Sequence, residues 1–274
     1  MSSSQSTVET TTSADGTVLG YHRFGAGDPI VLVHGAISTA DAWLPVAQAL
    51  AADHTVYAHD RRGRGASGDA ERYDLGTEAD DIEAILAVAR ADTGAEPALL
   101  GHSYGAIATL EAARRGAAIS SLVLYEPPLP VDGPTAGVHL VDYAAAVEAD
   151  DRDGAMRIAT KHFLRLSEEE TEELAATPLW AQFRELVPTW TRELAAIDAS
   201  APQIPEYATL AVRTLLLTGS ESPSNLHRAI ERLESTLPNV TRVDLVGHGH
   251  FANLLDPVGV AAHIHSFLSA RPAE

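Results

Sequence analysis

The chain has 274 residues, enough for one large core, and its 45% hydrophobic and 21% charged composition is that of a globular domain without a membrane-length apolar run. Thirty-eight acidic against 19 basic residues give a formal net charge of −19, which repels nucleic acid and anionic membranes. With Lys161 the only lysine the same imbalance favours a neutral or weakly charged small-molecule ligand, and the lack of cysteine removes disulfides, thiol nucleophiles and Cys-ligated metals.

Residues 1–12 are Ser/Thr-rich with neither a basic n-region nor an apolar h-region, so they read as a flexible tail and the expected location is the cytoplasm. Strand-like segments follow at 18–24, 30–33, 55–59, 98–100, 122–125, 214–217 and 242–246, several of them short continuous apolar runs suited to parallel strands covered on both faces. Helical patterns at 42–52, 77–91, 104–115, 224–237 and 257–269 alternate with them. The expected fold class is therefore α/β, a doubly wound mostly parallel sheet. Residues 127–207 break the alternation with helical patterns at 138–149, 154–166, 168–176, 179–186 and 189–197, punctuated by Pro178, Pro188 and Pro202. The expected organisation is a core of 13–126 and 208–274 with 127–207 as a helical cap over the sheet edge where ligands bind.

Gly101-His102-Ser103-Tyr104-Gly105 puts a serine between two glycines at a strand-to-helix junction, the pattern of a nucleophile elbow whose sharp turn needs small flanking residues. Upstream, His34-Gly35-Ala36-Ile37 ends a strand, so the Ala36 amide and that of Tyr104 are placed to receive a developing oxyanion. Downstream, Gly247-His248-Gly249-His250-Phe251 precedes the last helix. His250, the later of its two histidines, is chosen as the general base that takes the serine proton and returns it to the leaving group.

This order of motifs, from residue 18 to residue 268, resembles the α/β-hydrolase superfamily. The loop Asp60-Arg61-Arg62-Gly63-Arg64-Gly65-Ala66-Ser67 is similar to that superfamily's Asp-x-Arg-Gly-x-Gly-x-Ser turn and is assigned a structural role. The resemblance implies a carboxylate to orient His250, usually an aspartate three residues after the glycine that ends the strand at 214–217. Here Gly219 is followed by Ser220, Glu221 and Ser222. Glu221 is one residue early, and Glu126, directly after the strand at 122–125, is the preferred acid with Glu221 as its rival.

A serine nucleophile removes the epoxide-hydrolase and haloalkane-dehalogenase readings, which need an aspartate. The expected activity is hydrolysis of a small neutral ester, lactone or thioester through an acyl-enzyme. A non-hydrolytic lyase or cyclase, or a ligand-binding protein on the same fold, stays open as the alternative. The Ala36-Ile37 turn fits a C–C bond hydrolase or a cofactor-free perhydrolase less well. Trp180, Phe183 and Trp190 of the cap, with Ile37, are candidates to line an apolar substrate pocket. No cofactor, metal, nucleic acid or membrane is expected, and a homodimer is left open.

Overall fold

The computed structural model describes residues 7–270, which hold eight strands: β1 (Thr7–Thr12), β2 (Val18–Gly25), β3 (Asp28–Val33), β4 (His54–His59), β5 (Ala98–His102), β6 (Ser121–Tyr125), β7 (Thr214–Gly219) and β8 (Val240–Leu245). They form one sheet in the order β1-β2-β4-β3-β5-β6-β7-β8, antiparallel where β2 meets β1 and β4 and parallel from β4 onward. The apolar runs explain the parallel part. Val31, Val33, Leu99, Leu122 and Leu216 enter the core on one face, while Ile30, Leu32, Leu100, Val123 and Leu217 enter that on the other. Alternate side chains of a strand point to opposite faces, so strands covered on both sides read as unbroken hydrophobic runs.

The helices are α1 (Leu44–Leu50), α2 (Leu75–Thr93), α3 (Tyr104–Arg114), α4 (His139–Glu148), α5 (Arg152–His162), α6 (Glu168–Ala175), α7 (Pro178–Ala199), α8 (Ser224–Thr236), α9 (Ala252–Leu255) and α10 (Pro257–Ser269). Helices α1 and α10 pack on one face through Val46, Leu50, Val260 and Ile264; α2, α3 and α8 cover the other through Ile82, Leu86, Ile107 and Ile230. None of the helices among the described residues is long and apolar enough to cross a membrane.

Two expectations are corrected. The tail reading of 1–12 fails for Thr7–Thr12, which pairs with β2 in the register Thr7↔Arg23 to Thr12↔Val18; residues 1–6 lie outside the described residues. Threonine is a β-branched strand former. An edge strand with little apolar content carries no hydrophobic period, so composition hides it. The break expected at Pro188 is also absent, because α7 runs continuously through it. A proline inside a helix costs ~3 kcal/mol. Trp180, Phe183, Val187, Trp190, Leu194 and Ile197, at helical spacing, are all buried. Burying each contributes about 1.5–3 kcal/mol and together outweighs that cost. A 3-10 segment at Ala201–Thr209 links α7 to the strand that follows.

The end of β4 carries His59, fully buried, and burial drives its imidazole from 6.5 down to about 4. Between those values the unfolded chain binds a proton that the folded chain does not, so stability is complete above about pH 6.5 and falls as pH drops toward 4. The separation corresponds to about 3 kcal/mol. We predict that His59→Leu lowers the pH slope of the unfolding free energy in this window by about one proton. An unchanged slope in denaturant titrations would refute the assignment.

Candidate active site

Strand β5 delivers the chain to Ser103, whose backbone sits at φ 54°, ψ −124°, and α3 begins at the next residue. The turn tolerates only glycine on either side. A Cβ at Gly101 would lie 2.5 Å from the Ala106 Cα, and one at Gly105 would lie 2.4 Å from the Val33 and His34 carbonyl oxygens. Among the described residues, Ile37, Ser103, Glu126, Asp150 and Arg165 are the non-glycines with positive φ. All but Asp150 line the cavities described below or bond His250. Backbone strain of this kind persists where surrounding packing enforces it, commonly at functional sites.

Strands β5 and β6 pair with His102 opposite Tyr125, so Ser103 and Glu126 leave adjacent strands at the same level. Glu126 Oε2 accepts the His250 Nδ1–H at 2.7 Å, and Oε1 accepts the Gly219 N–H at 2.7 Å and the Thr218 hydroxyl at 3.1 Å. Burial by itself raises the Glu126 carboxyl; the hydrogen bond and charge of His250 outweigh it and hold the group below the usual glutamate range. Glu221, the rival acid, is not on the imidazole. Its amide donates to the His248 carbonyl at 2.9 Å, its side chain is exposed, and it lines a cavity wall. The residue after β6 lies one strand nearer the elbow than the loop after β7, which is why Glu126 makes the contact.

Two residues that sequence reasoning left without a role fasten the histidine loop. The Tyr125 hydroxyl donates to the Gly249 carbonyl and accepts from the Ala252 amide at 3.1 Å, while His102 Nε2–H donates to the His250 carbonyl at 2.9 Å. The His102 ring stacks on Tyr125 with centroids 4.8 Å apart. Burial, then the neighbouring charge of His250, lowers His102 well below the usual histidine range and keeps it neutral. The residues immediately before Ser103 and before Glu126 thus hold the loop that carries His250. Their positions were the available signal. His248 is turned aside, 3.7 Å from the Asp256 carboxylate.

The turn at 34–37 is held with equal care. The Arg61 amide donates to His34 Nε2 at 3.1 Å, which assigns the proton to Nδ1, and Nδ1–H donates to the Gly35 carbonyl at 2.8 Å. Burial, then Arg61 and Arg64, keeps His34 far below its ordinary pKa. The Asp60 loop forms the platform. Asp60 accepts the Ala40 and Ala66 amides at 2.8 and 2.9 Å, and Gly65, at φ 56°, leaves no space for a Cβ against that carboxylate. Among the described residues neither the Ala36 nor the Tyr104 amide takes part in the backbone hydrogen bonds of the turns and loops.

Two cavities of about 240 and about 600 Å³ share Ala36, Ser103, Leu164, Trp190, His250 and Phe251. Ile37, Phe183 and Trp190 line the larger one. Trp180 lines neither. Its indole N–H donates to Asp153 at 2.8 Å, turning the ring into the packing between α7 and α5. Among the described residues no cluster of three His, Asp or Glu side chains is arranged to hold a metal ion.

A model of the alpha/beta hydrolase family matches residues 30–263. The chain is 40% identical over 126 residues to an N-formylmaleamate deformylase of Pseudomonas putida, a match spanning 44% of this chain and 45% of that relative, so less than half of each is covered. It is 23% identical over 259 residues, 92% of this chain and 94% of the other, to an (E)-2-((N-methylformamido)methylene)succinate hydrolase of Acinetobacter baylyi. Among solved structures, an alpha/beta hydrolase from Sphaerobacter thermophilus superposes with a TM-score of 0.87 at 29% identity, over 95% of this chain and 100% of that one.

Proposed function

The chain belongs to the alpha/beta hydrolase family, and from that premise we propose that it is a serine hydrolase cleaving a small neutral ester, lactone or thioester through an acyl-enzyme. The observation that carries this reading is the 2.7 Å bond from His250 Nδ1 to the buried Glu126, on a histidine that shares its cavity walls with a serine on a positive-φ elbow. Glu126 keeps the Nδ1 proton in place and leaves Nε2 as an acceptor. Ser103 Oγ attacks the substrate carbonyl carbon while its proton passes to His250 Nε2. The carbonyl oxygen takes the negative charge and is received by the Ala36 and Tyr104 amides. Collapse of the tetrahedral species expels the alcohol or thiol, protonated by His250. Water, deprotonated by the same imidazole, then releases the acid and restores Ser103.

The two apolar cavities meeting at Ser103 favour a substrate with an apolar group on each side of the scissile bond. A second reading, cleavage of an activated amide, is supported by the names of the deformylase and of the succinate hydrolase. Both readings share the nucleophile; a panel of esters and formamides of graded size separates them. A fluorophosphonate probe is expected to label the wild-type protein once, on the peptide containing Ser103. If the folded protein resists the probe, the serine-hydrolase reading fails and the ligand-binding or lyase alternative takes its place.

A further inference from the structure

The Arg61 guanidinium lies between the oxyanion turn and the helical insertion, wholly buried. Its Nη1 donates to the Gly35 carbonyl at 3.1 Å, Nε and Nη2 donate to Glu78 at 3.0 and 2.7 Å, and Nη2 also bonds Glu193. Its Cζ lies 4.4 Å from the centre of the Tyr104 ring, and the Tyr104 hydroxyl is 2.9 Å from that of Tyr73, a further Arg61 partner. Arg61 therefore touches the Gly35 carbonyl and the Tyr104 ring, on the two segments to which the proposed oxyanion donors belong.

Glu193 belongs to α7, and its neighbours on that helix, Trp190, Leu194 and Ile197, line the smaller cavity. It binds Arg61 and, at 2.5 Å, Arg64, and all three side chains are excluded from solvent. Taking such ions out of water costs several kcal/mol each, and apolar residues of like volume hold a helix as well or better. What the ionic arrangement adds is direction.

We propose that Arg61 is a positioning residue that couples docking of α7 to completion of the oxyanion hole. A trans peptide is planar, with its C=O and N–H pointing in opposite directions. Arg61 and His34 both pull on the Gly35 carbonyl, so the Ala36 N–H of the same peptide unit is turned toward the cavity it lines. Glu193 fixes the guanidinium that does the pulling. Substrate packed against Trp190 steadies α7, α7 steadies Arg61, and Arg61 steadies the Ala36 amide. This inference rests on the serine-hydrolase reading.

The test compares wild type, Glu193→Gln, Arg61→Lys and the double variant in kcat, KM, fluorophosphonate labelling rate and affinity for a trifluoromethyl ketone, whose hydrated or Ser103-bound oxyanion imitates the transition state. Removing one oxyanion donor outright costs about 10²–10³ in kcat. A misaligned donor is expected to cost about 10- to 100-fold in kcat and in labelling rate, with KM within about threefold. Ketone affinity should fall in parallel with kcat/KM, while affinity for the product carboxylic acid stays unchanged. The double variant should lose no more than Arg61→Lys alone, since both act through one bond. Should Arg61→Lys fail to fold, Glu193→Gln and Tyr73→Phe carry the same comparison. Wild-type kcat and labelling in a folded variant, or equal losses of ketone and product-acid affinity, would overturn the proposal. Absence of labelling in the wild type would instead remove the reading beneath it.

Discussion

A Ser103→Ala chain is expected to turn over its substrate about 10⁶-fold more slowly than the wild type, and to lose fluorophosphonate labelling completely. The change deletes one oxygen and leaves the rest of the site in place. Alanine meets the same φ 54° backbone with the same Cβ. Stability should therefore move by no more than about 0.5 kcal/mol, and the kinetic loss reads as chemistry. The remaining rate comes from substrate binding and the Ala36 and Tyr104 amides, which in comparable sites leave about 10³–10⁴ over water. Steady-state turnover on the best ester of the graded panel, with the thermal midpoint as the folding control, is the decisive pair of measurements. Retention of more than a tenth of the activity at an unchanged midpoint would mean that another group carries the chemistry.

The elbow was legible because its constraint is local and steric: Gly101 and Gly105 are small since neighbouring backbone lies 2.4–2.5 Å from where a Cβ would be. The parallel sheet was legible for an equally local reason, as buried two-faced strands write themselves as apolar runs. What escaped depends on partners distant in sequence. Tyr125 and Gly249 are 124 residues apart, and Arg61 and Glu193 are 132. Arg61 was visible as part of a turn motif, but its bond to Glu193 needs α7 packed against the loop after β4. Trp180 and Phe183 share one helix and differ by three positions, yet only Phe183 faces the cavity. Spacing along a helix marks a buried stripe without saying which part of it meets packing and which meets space. Thr7–Thr12 failed for the opposite reason, since an edge strand buries too little to leave a pattern.

The acid is the remaining point on which sequence left two residues in play, and a pair of substitutions separates them with a large margin. Glu126→Gln is expected to lower kcat by about 10⁴-fold, and Glu221→Gln by far less, since Glu221 lines a cavity wall while Glu126 is the carboxylate on His250. The reason lies in the tautomer. The Glu126 carboxylate serves the Gly219 amide and the Thr218 hydroxyl with Oε1 and His250 Nδ1–H with Oε2. Glutamine has one oxygen. With that oxygen committed to the Gly219 and Thr218 donors, its NH₂ faces Nδ1, and the imidazole must turn its lone pair there and carry its proton on Nε2. An Nε2–H cannot accept the Ser103 proton, so the chain keeps its shape and its cavities while the base is silenced. Because Glu126 is held below the usual glutamate range, its carboxylate is ionised throughout the neutral range, and the loss in Glu126→Gln should persist across it. A Glu126→Gln chain that retains more than a tenth of wild-type turnover would show that His250 is oriented by something other than this carboxylate, and a 10⁴-fold loss in Glu221→Gln would return the role to the loop after β7.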